Sequence, residues 1–433
     1  MAQNLGEQNR VQNNRVWQRA CGLTRTVVEG VRFDDTADAI VVSARPDARA
    51  RGRCGRCGGR SPGYDRGAGR RRWRGLDAGT TRVFIEAAAQ RVQCRVHGPT
   101  VAQVPWARHD VGHTRDFDAM AAWLTVRTSK SATCQLLRVA WRTIGSIITR
   151  VNEDVEAAVD RLGGLRRIGI DEISYKRGHR YLIVVVDHDT GRLVWAGPGR
   201  SEAALNVFFD ELGDQRAAEI THVSADMANW IANTVAARAP NAIRCADPFH
   251  VVAWAIEALD IERRRAWNQA KGRKIPQSLG RRGRTTGNSR QVARSRYALW
   301  KNPADLNARQ RHQLDWIAKT DPRLWRAYLL KEGLRYVFAV KGEEGKDALD
   351  RWLSWARRSQ LPSFVHLAKR ITKHREAIEA NLEHGLSQGL IESTNTKIRL
   401  LTRIAFGFHG PKPLIALALL ALGSHPPQLP GRT

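Results

Sequence analysis

Two short ligand pairs and four scattered acids are the residues of this sequence that can do chemistry. Cys54 and Cys57 stand in RCGRCGGR, and Cys94 and His97 stand in QCRVHGP. Each pair closes a tight turn that offers two ligands to one ion, and two such turns make the tetrahedral set of a structural zinc site. Read singly, a CxxC is as well explained by a redox pair or by buried thiols; the second pair, with its following glycine, favours zinc. Cys21, Cys134 and Cys245 have no partner at ligand spacing and read as core residues. Among the acids, Asp171 interrupts the apolar run RIGIDEISY, where a lone buried carboxylate is costly. Asp226 ends the strand-like EITHVSAD; taken singly each of these two acids reads better as a strand-end turn residue, and only the pair favours function. Two carboxylates from adjacent strands repel each other unless a divalent cation lies between them, and magnesium held by such oxygens can align the attacking and leaving oxygens of a phosphodiester. Asp247, in CADPFHVV with His250 three residues on, is the rival second ligand. Asp187 and Asp189 read as hairpin-turn residues, and strand alternation puts Glu172 on the face opposite Asp171. Glu392 opens a helix in GLSQGLIESTNTKIRLLTRIAFGFHG; it would complete a three-acid site, or simply favour the helix dipole.

The elements that must carry these residues fall into three textures. Between the two ligand pairs, TTRVFIEAAAQRVQC alternates as a hairpin in a zinc-ribbon-like module. From Asp116 to about Leu162 the spacing is helical: Phe117, Met120, Ala121 and Leu124 share one face, and Ser129 or Ser131 caps a second helix with Leu136, Leu137 and Val139 inward. A third helix starts near Trp141. Spacing alone fits a plain bundle as well as a helix-turn-helix, and the basic charge favours the latter. From Arg167 the order becomes β-β-β-α-β-α-β, with Leu205, Phe208, Phe209 and Leu212 on one helix face. That is the order of an RNase H-like sheet, and no GxGxxG or GxxxxGK[ST] follows a strand. From Ile256 to about Ala380 the chain is helical and rich in tryptophan, whose rings read mostly as core. In the last segment Ile398, Leu401 and Ile404 face inward.

Composition narrows the partners. The 433 residues suggest two to four domains on a prior of roughly 150 each. Lys+Arg is 71 against Asp+Glu 42, a net charge of +29 that suits a polyphosphate or an anionic surface. No apolar run is long enough for a membrane span, and no export signal is seen, so the expectation is a cytoplasmic protein with a nucleic-acid partner and no membrane. Eleven arginines lie between Arg45 and Arg74, including Arg70, Arg71 and Arg72, and Arg142 starts the third helix. Arg263 to Arg296 holds twelve Lys or Arg and no acid, which predicts a basic loop gripping phosphates, with Arg281 and Arg282 at its centre. Lys397, Arg399 and Arg403 would face DNA from the last helix.

The segments GIDEISYKRGHRYLIVVVDHDTGRLVWAGPGR, SADMANW, CADPFHVV and IESTNTKIRLLTRIAFGFHG together resemble the ISL-three family of bacterial insertion-sequence transposases. The resemblance runs from about Cys21 to Gly410, and its most specific block begins at Glu392. It implies a multidomain α/β chain: a zinc-ribbon-like DNA-binding domain (1–108), a helix-turn-helix segment (109–164), and an RNase H-like catalytic core (165–259 and 385–433) interrupted by a helical insert (260–384). It further implies a DDE triad of Asp171, Asp226 and Glu392 holding Mg²⁺ or Mn²⁺, with Asp247 and His250 supporting. His97 stands where cysteine is more usual, and the basic insert is longer than the family needs. The activity implied is cut-and-paste transposition: binding of terminal inverted repeats, strand cleavage by water, then strand transfer, by a homodimer or larger assembly on DNA. The setting implied is bacterial and nucleoid-associated, with double-stranded DNA as the partner. The alternatives are a catalytically silent DNA-binding regulator or architectural protein derived from a transposase, and a structure-selective nuclease that cuts without joining.

Overall fold

The computed structural model describes residues 13–272, 287–386 and 388–431, and divides into two compact units, Met1–Asp160 with Leu401–Thr433, and Arg161–Leu400. Among the described residues no helix is long and apolar enough to cross a membrane.

The first unit opens with helical residues 13–20 (α1) and a sheet of four strands. These are β1 (Thr26–Asp34), β2 (Ala39–Pro46), β4 (Arg70–Arg74) and β5 (Arg82–Ala88), in the order β1-β2-β5-β4. Alternate residues Val83, Ile85 and Ala87 of β5 are buried with Trp73 and Trp106, whose rings meet edge to face at 5.6 Å. A second sheet, β3 (Gly63–Asp65), β6 (Arg91–Cys94) and β7 (Gly98–Val101), forms the ribbon. The expected hairpin of TTRVFIEAAAQRVQC is therefore two strands of different sheets. Both edges of β5 are taken by β2 and β4, so β6 turns away to pair with β3 and β7.

Three helices follow: α2 (Arg115–Arg127), α3 (Lys130–Leu137) and α4 (Trp141–Ala158). Thr114 and Ser129 cap α2 and α3 by accepting from the backbone N–H of Phe117 and Ala132. Arg138 closes α3 in the left-handed conformation, φ 52° and ψ 49°, which makes the tight joint before α4. Leu137 is buried, but Leu136 is 63% exposed, against expectation: on an eight-residue helix the inward stripe is narrow and falls on Thr133 and Leu137. Asp118, fully buried in α2, pairs with Arg108 at 2.6 Å and with Arg150 of α4 at 3.3 Å, so the buried charge is compensated from both sides.

The second unit is built on a sheet of β10 (Arg192–Pro198), β9 (Arg180–Asp187), β8 (Arg167–Lys176), β11 (His222–Ala225) and β12 (Ile243–Ala246), in that spatial order. The β8-β9-β10 meander is antiparallel; β11 runs parallel to both β8 and β12. Asp187 organises the β9–β10 turn, accepting from Thr190 Oγ1 at 2.6 Å and from the Asp189 backbone at 3.0 Å. Helix α5 (Glu202–Leu212), the short α6 (Asp214–Ala217) and α7 (Asn229–Arg238) complete the β-β-β-α-β-α-β order. Leu205, Phe208, Phe209 and Leu212 pack with Ile168, Ile170, Ile183 and Val185 of the sheet, as their spacing predicts.

The helical insert comprises α8 (Pro248–Gly272), α9 (Gly287–Arg294), α10 (Arg296–Trp300), α11 (Ala308–Thr320), α12 (Pro322–Ala339), α13 (Gly342–Arg358), α14 (Pro362–Lys373) and α15 (Arg375–His384). Trp352 is buried in its core and Trp267, Trp300, Trp316 and Trp325 pack against it, whereas Trp355 is 37% exposed. The expected basic loop is shorter than its composition suggests. Arg263, Arg264 and Arg265 lie in α8 and pair with Asp260 and Glu262 one turn back, and Arg290, Arg294 and Arg296 are helical too. Arg281 and Arg282 lie outside the described residues. The chain ends with α16 (Gly389–Ile404) and α17 (Pro411–Leu422). On α16, Ile391, Thr394, Asn395 and Ile398 are buried, while Leu401 is half-buried and Ile404 is 39% exposed, so the inward stripe stops a turn earlier than predicted.

Candidate active site and metal centre

The cysteine pairs form two facing knuckles. Gly58, at φ +69°, lets the chain turn back so that its N–H donates to Cys54 O at 2.9 Å. Cys94 ends β6, and His97 precedes Gly98, whose φ of +64° starts the return strand. The four ligand atoms all lie within 4.8 Å of one another. Cys57 and Cys94 sulfurs are 3.7 Å apart, and His97 Nδ1 is 3.6 Å from both Cys54 and Cys94 sulfurs. A tetrahedron with Zn–S of about 2.3 Å and Zn–N of about 2.0–2.1 Å has edges of about 3.8 Å (S to S) and about 3.6 Å (S to N). The quartet fits zinc, with Nδ1 as the ligating nitrogen. Backbone N–H groups of His97 and Val96 pull the Cys94 thiol down to about 6, which favours the thiolate that a metal binds.

The acids meet in the second unit. Strand β11 ends beside β8 with Ala225 opposite Ile170, so Asp171 and Asp226 are the next residues on two neighbouring parallel strands. Asp247 occupies the same place after β12, and Glu392 lies in the first turn of α16. All four line one cavity of about 390 Å³, together with Glu172, Phe249, His250, Gln388, Asn395, Thr396 and Arg399. His250 Nδ1 stands 3.1 Å from Asp226 and 3.2 Å from Asp247. That pairing with Asp226 raises the imidazole to about 9 and holds Asp226 below the usual carboxylate range. Burial pushes Asp247 up to about 6, and raises Asp171 and Glu172. Asn395 Nδ2 donates to Asp171 Oδ2 at 2.7 Å. No three carboxylate or imidazole ligand atoms here lie within 4.8 Å of one another among the described residues, unlike the cysteine quartet.

Glu172 was expected on the far face of β8, yet it reaches the same cavity. Among the described residues β8 pairs with β11 only as far as Ile170, and both Asp171 and Glu172, the next two residues of β8, line the cavity. Glu172 pairs with Arg200 Nε at 2.8 Å. Gln388, Asn395 and Thr396 were not singled out by sequence. For Gln388 and Asn395 a signal was present: 388, 392, 395 and 399 recur at steps of four, three and four, a single helical stripe.

The basic candidates are placed as follows. Arg142 is exposed at the start of α4, and Lys397, Arg399 and Arg403 are exposed on α16. Arg70 and Arg72 project from one face of β4 and share Glu86, each at 2.9 Å; Arg72 also meets Asp34 at 2.8 Å. Arg71, on the other face, donates to Val111 O at 3.0 Å and lies over Trp73.

Comparison with known proteins decides the family. Residues 168–418 match the family model for the DDE domain of ISL3 proteins, described as a transposase. Residues 102–152 match the helix-turn-helix domain of transposase family ISL3, and residues 50–97 match the zinc finger of transposases of IS204, IS1001, IS1096 and IS1165. The chain belongs to transposase family ISL3. It is 61% identical, over 98% of both chains, to the transposase of insertion sequence IS1557 from two strains of Mycobacterium tuberculosis. It is 24% identical to the IS1001 transposase of Bordetella parapertussis, over 88% of this chain and 91% of that one. As an ISL3 transposase it carries, in order, a zinc ribbon with a Cys₃His quartet, a DNA-binding helix-turn-helix and a DDE domain.

Proposed function

We propose that this transposase binds the terminal inverted repeats of its element and carries out metal-dependent strand cleavage and strand transfer at the cavity of Asp171, Asp226 and Glu392. The observation that carries this reading is the convergence of those three carboxylates, 221 residues apart at the extremes (392 − 171), on one cavity of an ISL3 chain. The donor set fits a hard divalent cation: five carboxylates line the cavity, and one imidazolium already sits between two of them. Bound by the three acids, Mg²⁺ or Mn²⁺ would supply Lewis-acid polarisation of the phosphoryl group and a more acidic attacking water.

The protein's own groups do the rest. Asn395 holds Asp171 in place through its 2.7 Å hydrogen bond, and His250 fixes Asp226 and Asp247. Arg399, exposed at the cavity lip, neutralises phosphate. In the first step water adds to phosphorus and the P–O3′ bond breaks, leaving a 3′-hydroxyl and a 5′-phosphate. In the second the 3′-hydroxyl oxygen forms one phosphodiester bond to target DNA while one target bond breaks. No covalent protein–DNA intermediate is formed. The zinc ribbon and the α3–α4 helix-turn-helix, with Arg142 at the start of α4, recognise the ends, and Arg70, Arg71, Lys397 and Arg403 add phosphate contacts. Pairing two ends requires a homodimer or larger assembly on DNA.

The test is labelled end DNA, taken from the flanks of the gene, incubated with purified protein and Mg²⁺ or Mn²⁺. Nicked and joined products from wild type, lost in Asp171→Asn, Asp226→Asn and Glu392→Gln but kept in Asp247→Asn, are expected. Loss in Asp247→Asn with survival of Asp226→Asn would move the second ligand to Asp247. Cutting without joining would make the protein a nuclease. Tight binding with no cleavage under either metal would make it a silent regulator.

A further inference from the structure

Phe249 lies two residues past Asp247, in the first turn of α8, and lines the acid cavity with its side chain 63% exposed. Further along the same helix Val251, Trp254 and Ala255 are all buried. The main chain beneath the ring is pinned, because the Phe249 N–H donates to Asp247 Oδ1 at 3.0 Å, and the ring meets His250 edge-on at 5.6 Å. A largely exposed aromatic ring is thus presented at an acidic cavity. A second, independent feature belongs to Gln388, which lines the same cavity just before α16. Its side chain is 5% exposed, yet neither its amide nitrogen nor its amide oxygen has a hydrogen-bond partner among the described residues. A buried amide with both ends unmet calls for a ligand that brings an acceptor and a donor together.

We propose that the cavity holds a nucleobase drawn out of the DNA stack beside the scissile phosphate, with Phe249 stacking on its face and the Gln388 amide hydrogen-bonding its edge. This rests on the reading of the cavity as a DNA-cleavage site. A phosphate or a sugar needs neither feature: phosphate is met by cations, and sugar offers no flat π-surface. A base has both a face that any aromatic ring can stack on and an edge where donor and acceptor lie side by side, the pattern an amide matches bidentately. The terminal torsion of glutamine is broad and two-fold, so the amide can turn to meet that edge without leaving its rotamer. Unstacking one nucleotide lets the backbone turn its phosphate down towards acids that a regular duplex would hold at a distance, and the ring returns part of the unstacking cost.

The test uses the full-length protein and duplex end DNA carrying 2-aminopurine singly at each nucleotide flanking the cleavage position, with cleavage followed in parallel. Expected is a fluorescence rise at one position on binding wild type, kept by Asp171→Asn, which binds without cutting, and lost in Phe249→Ala. Phe249→Ala should cleave about ten- to a hundredfold more slowly, with Phe249→Trp near wild type. Placing an abasic nucleotide at that position should remove the difference between wild type and Phe249→Ala. Gln388→Met should lose any preference among the four bases there. Wild-type cleavage with flat fluorescence at every flanking position, or Phe249→Ala cleaving like wild type, overturns the base pocket and leaves the DNA-cleavage reading standing. Absence of both binding and cleavage by wild type overturns the two together.

Discussion

The cysteine quartet, which fits zinc, and the acid cavity, which we propose holds the catalytic metal, differ in how complete they are without an ion. The quartet's ligand atoms already stand at tetrahedral spacing, with edges of 3.6 and 3.7 Å. The acids form no comparably close group among the described residues, and part of their charge is met internally by His250 and Arg200. The difference follows from what each must do. A structural ion replaces a hydrophobic core in a small ribbon: among the described residues its buried apolar cluster is Cys54, Val92 and Cys94, with Ala102 against it. An acid site for phosphoryl transfer has to leave room for substrate oxygens, so its ligands cannot close on one another, and like charges are held together by the sheet beneath them. One site supports its fold; the other is supported by its fold.

That contrast breaks first at the quartet. Cys94→Ser should remove zinc, which at sites of this kind is worth on the order of 10 kcal/mol or more of folding free energy. Hydrogen exchange should then show protection lost across the ribbon strands while the five-stranded sheet keeps its own. A variant that retains stoichiometric zinc and ribbon protection would mean that the quartet is not the metal site. The second break is at the acids, and its signs are opposite. Asp171→Asn should lower cleavage by about 10³ or more, a barrier increase of about 4 kcal/mol. Its melting temperature should hold or rise, because the change removes a buried carboxylate that Asp226 and Glu172 repel. A fall of several degrees on heating would show that Asp171 serves the fold instead.

The same contrast explains what could be read from sequence. Zinc ligands lie two to a turn, so four residues in two short motifs carry the whole site. The strand acids were legible as a pair: either one alone could serve a strand-end turn, as Asp187 does, but two carboxylates at the ends of adjacent strands repel each other unless a cation lies between them. Their adjacency followed from the β-β-β-α-β-α-β order. Sequence reasoning failed where a local rule was overridden by what lay alongside. Strand alternation sent Glu172 away from the cavity, but β8 pairs with β11 only as far as Ile170, and Asp171 and Glu172 beyond it both line the cavity. Periodicity joined β5 to β6, but β5 had both edges occupied. Composition made a loop of Arg263 to Arg296, while Asp260 and Glu262, just upstream of that stretch, neutralise its first arginines within α8. Gln388 and Asn395 carry no chemistry of their own and become visible only once Glu392 defines the helical stripe they share.

The arginines proposed to contact DNA sharpen the comparison at smaller scale, because charge free to act differs from charge already spent on the fold. Arg142 is exposed at the start of α4, where no side chain caps the helix. Arg142→Ala should weaken end binding by about 1–3 kcal/mol if it reads a base, relaxing specificity at one position. An equal loss on random DNA would make it a phosphate contact instead.

Arg72 is expected to show the smallest effect. On β4 it shares Glu86 with Arg70 and Arg32, and it also meets Asp34. Three arginines and two acids leave one positive charge (3 − 2 = 1) for a phosphate to share. A phosphate contact made by a free arginine changes the slope of log K against log salt by about 0.9, so Arg72→Ala should change it by well under that. Stability should fall by no more than about 1 kcal/mol, since the pair is part-exposed and Arg70 remains on Glu86. A full change in slope would mean that Arg72 leaves Glu86 for DNA, and that this face of the four-stranded sheet changes its pairing when substrate arrives.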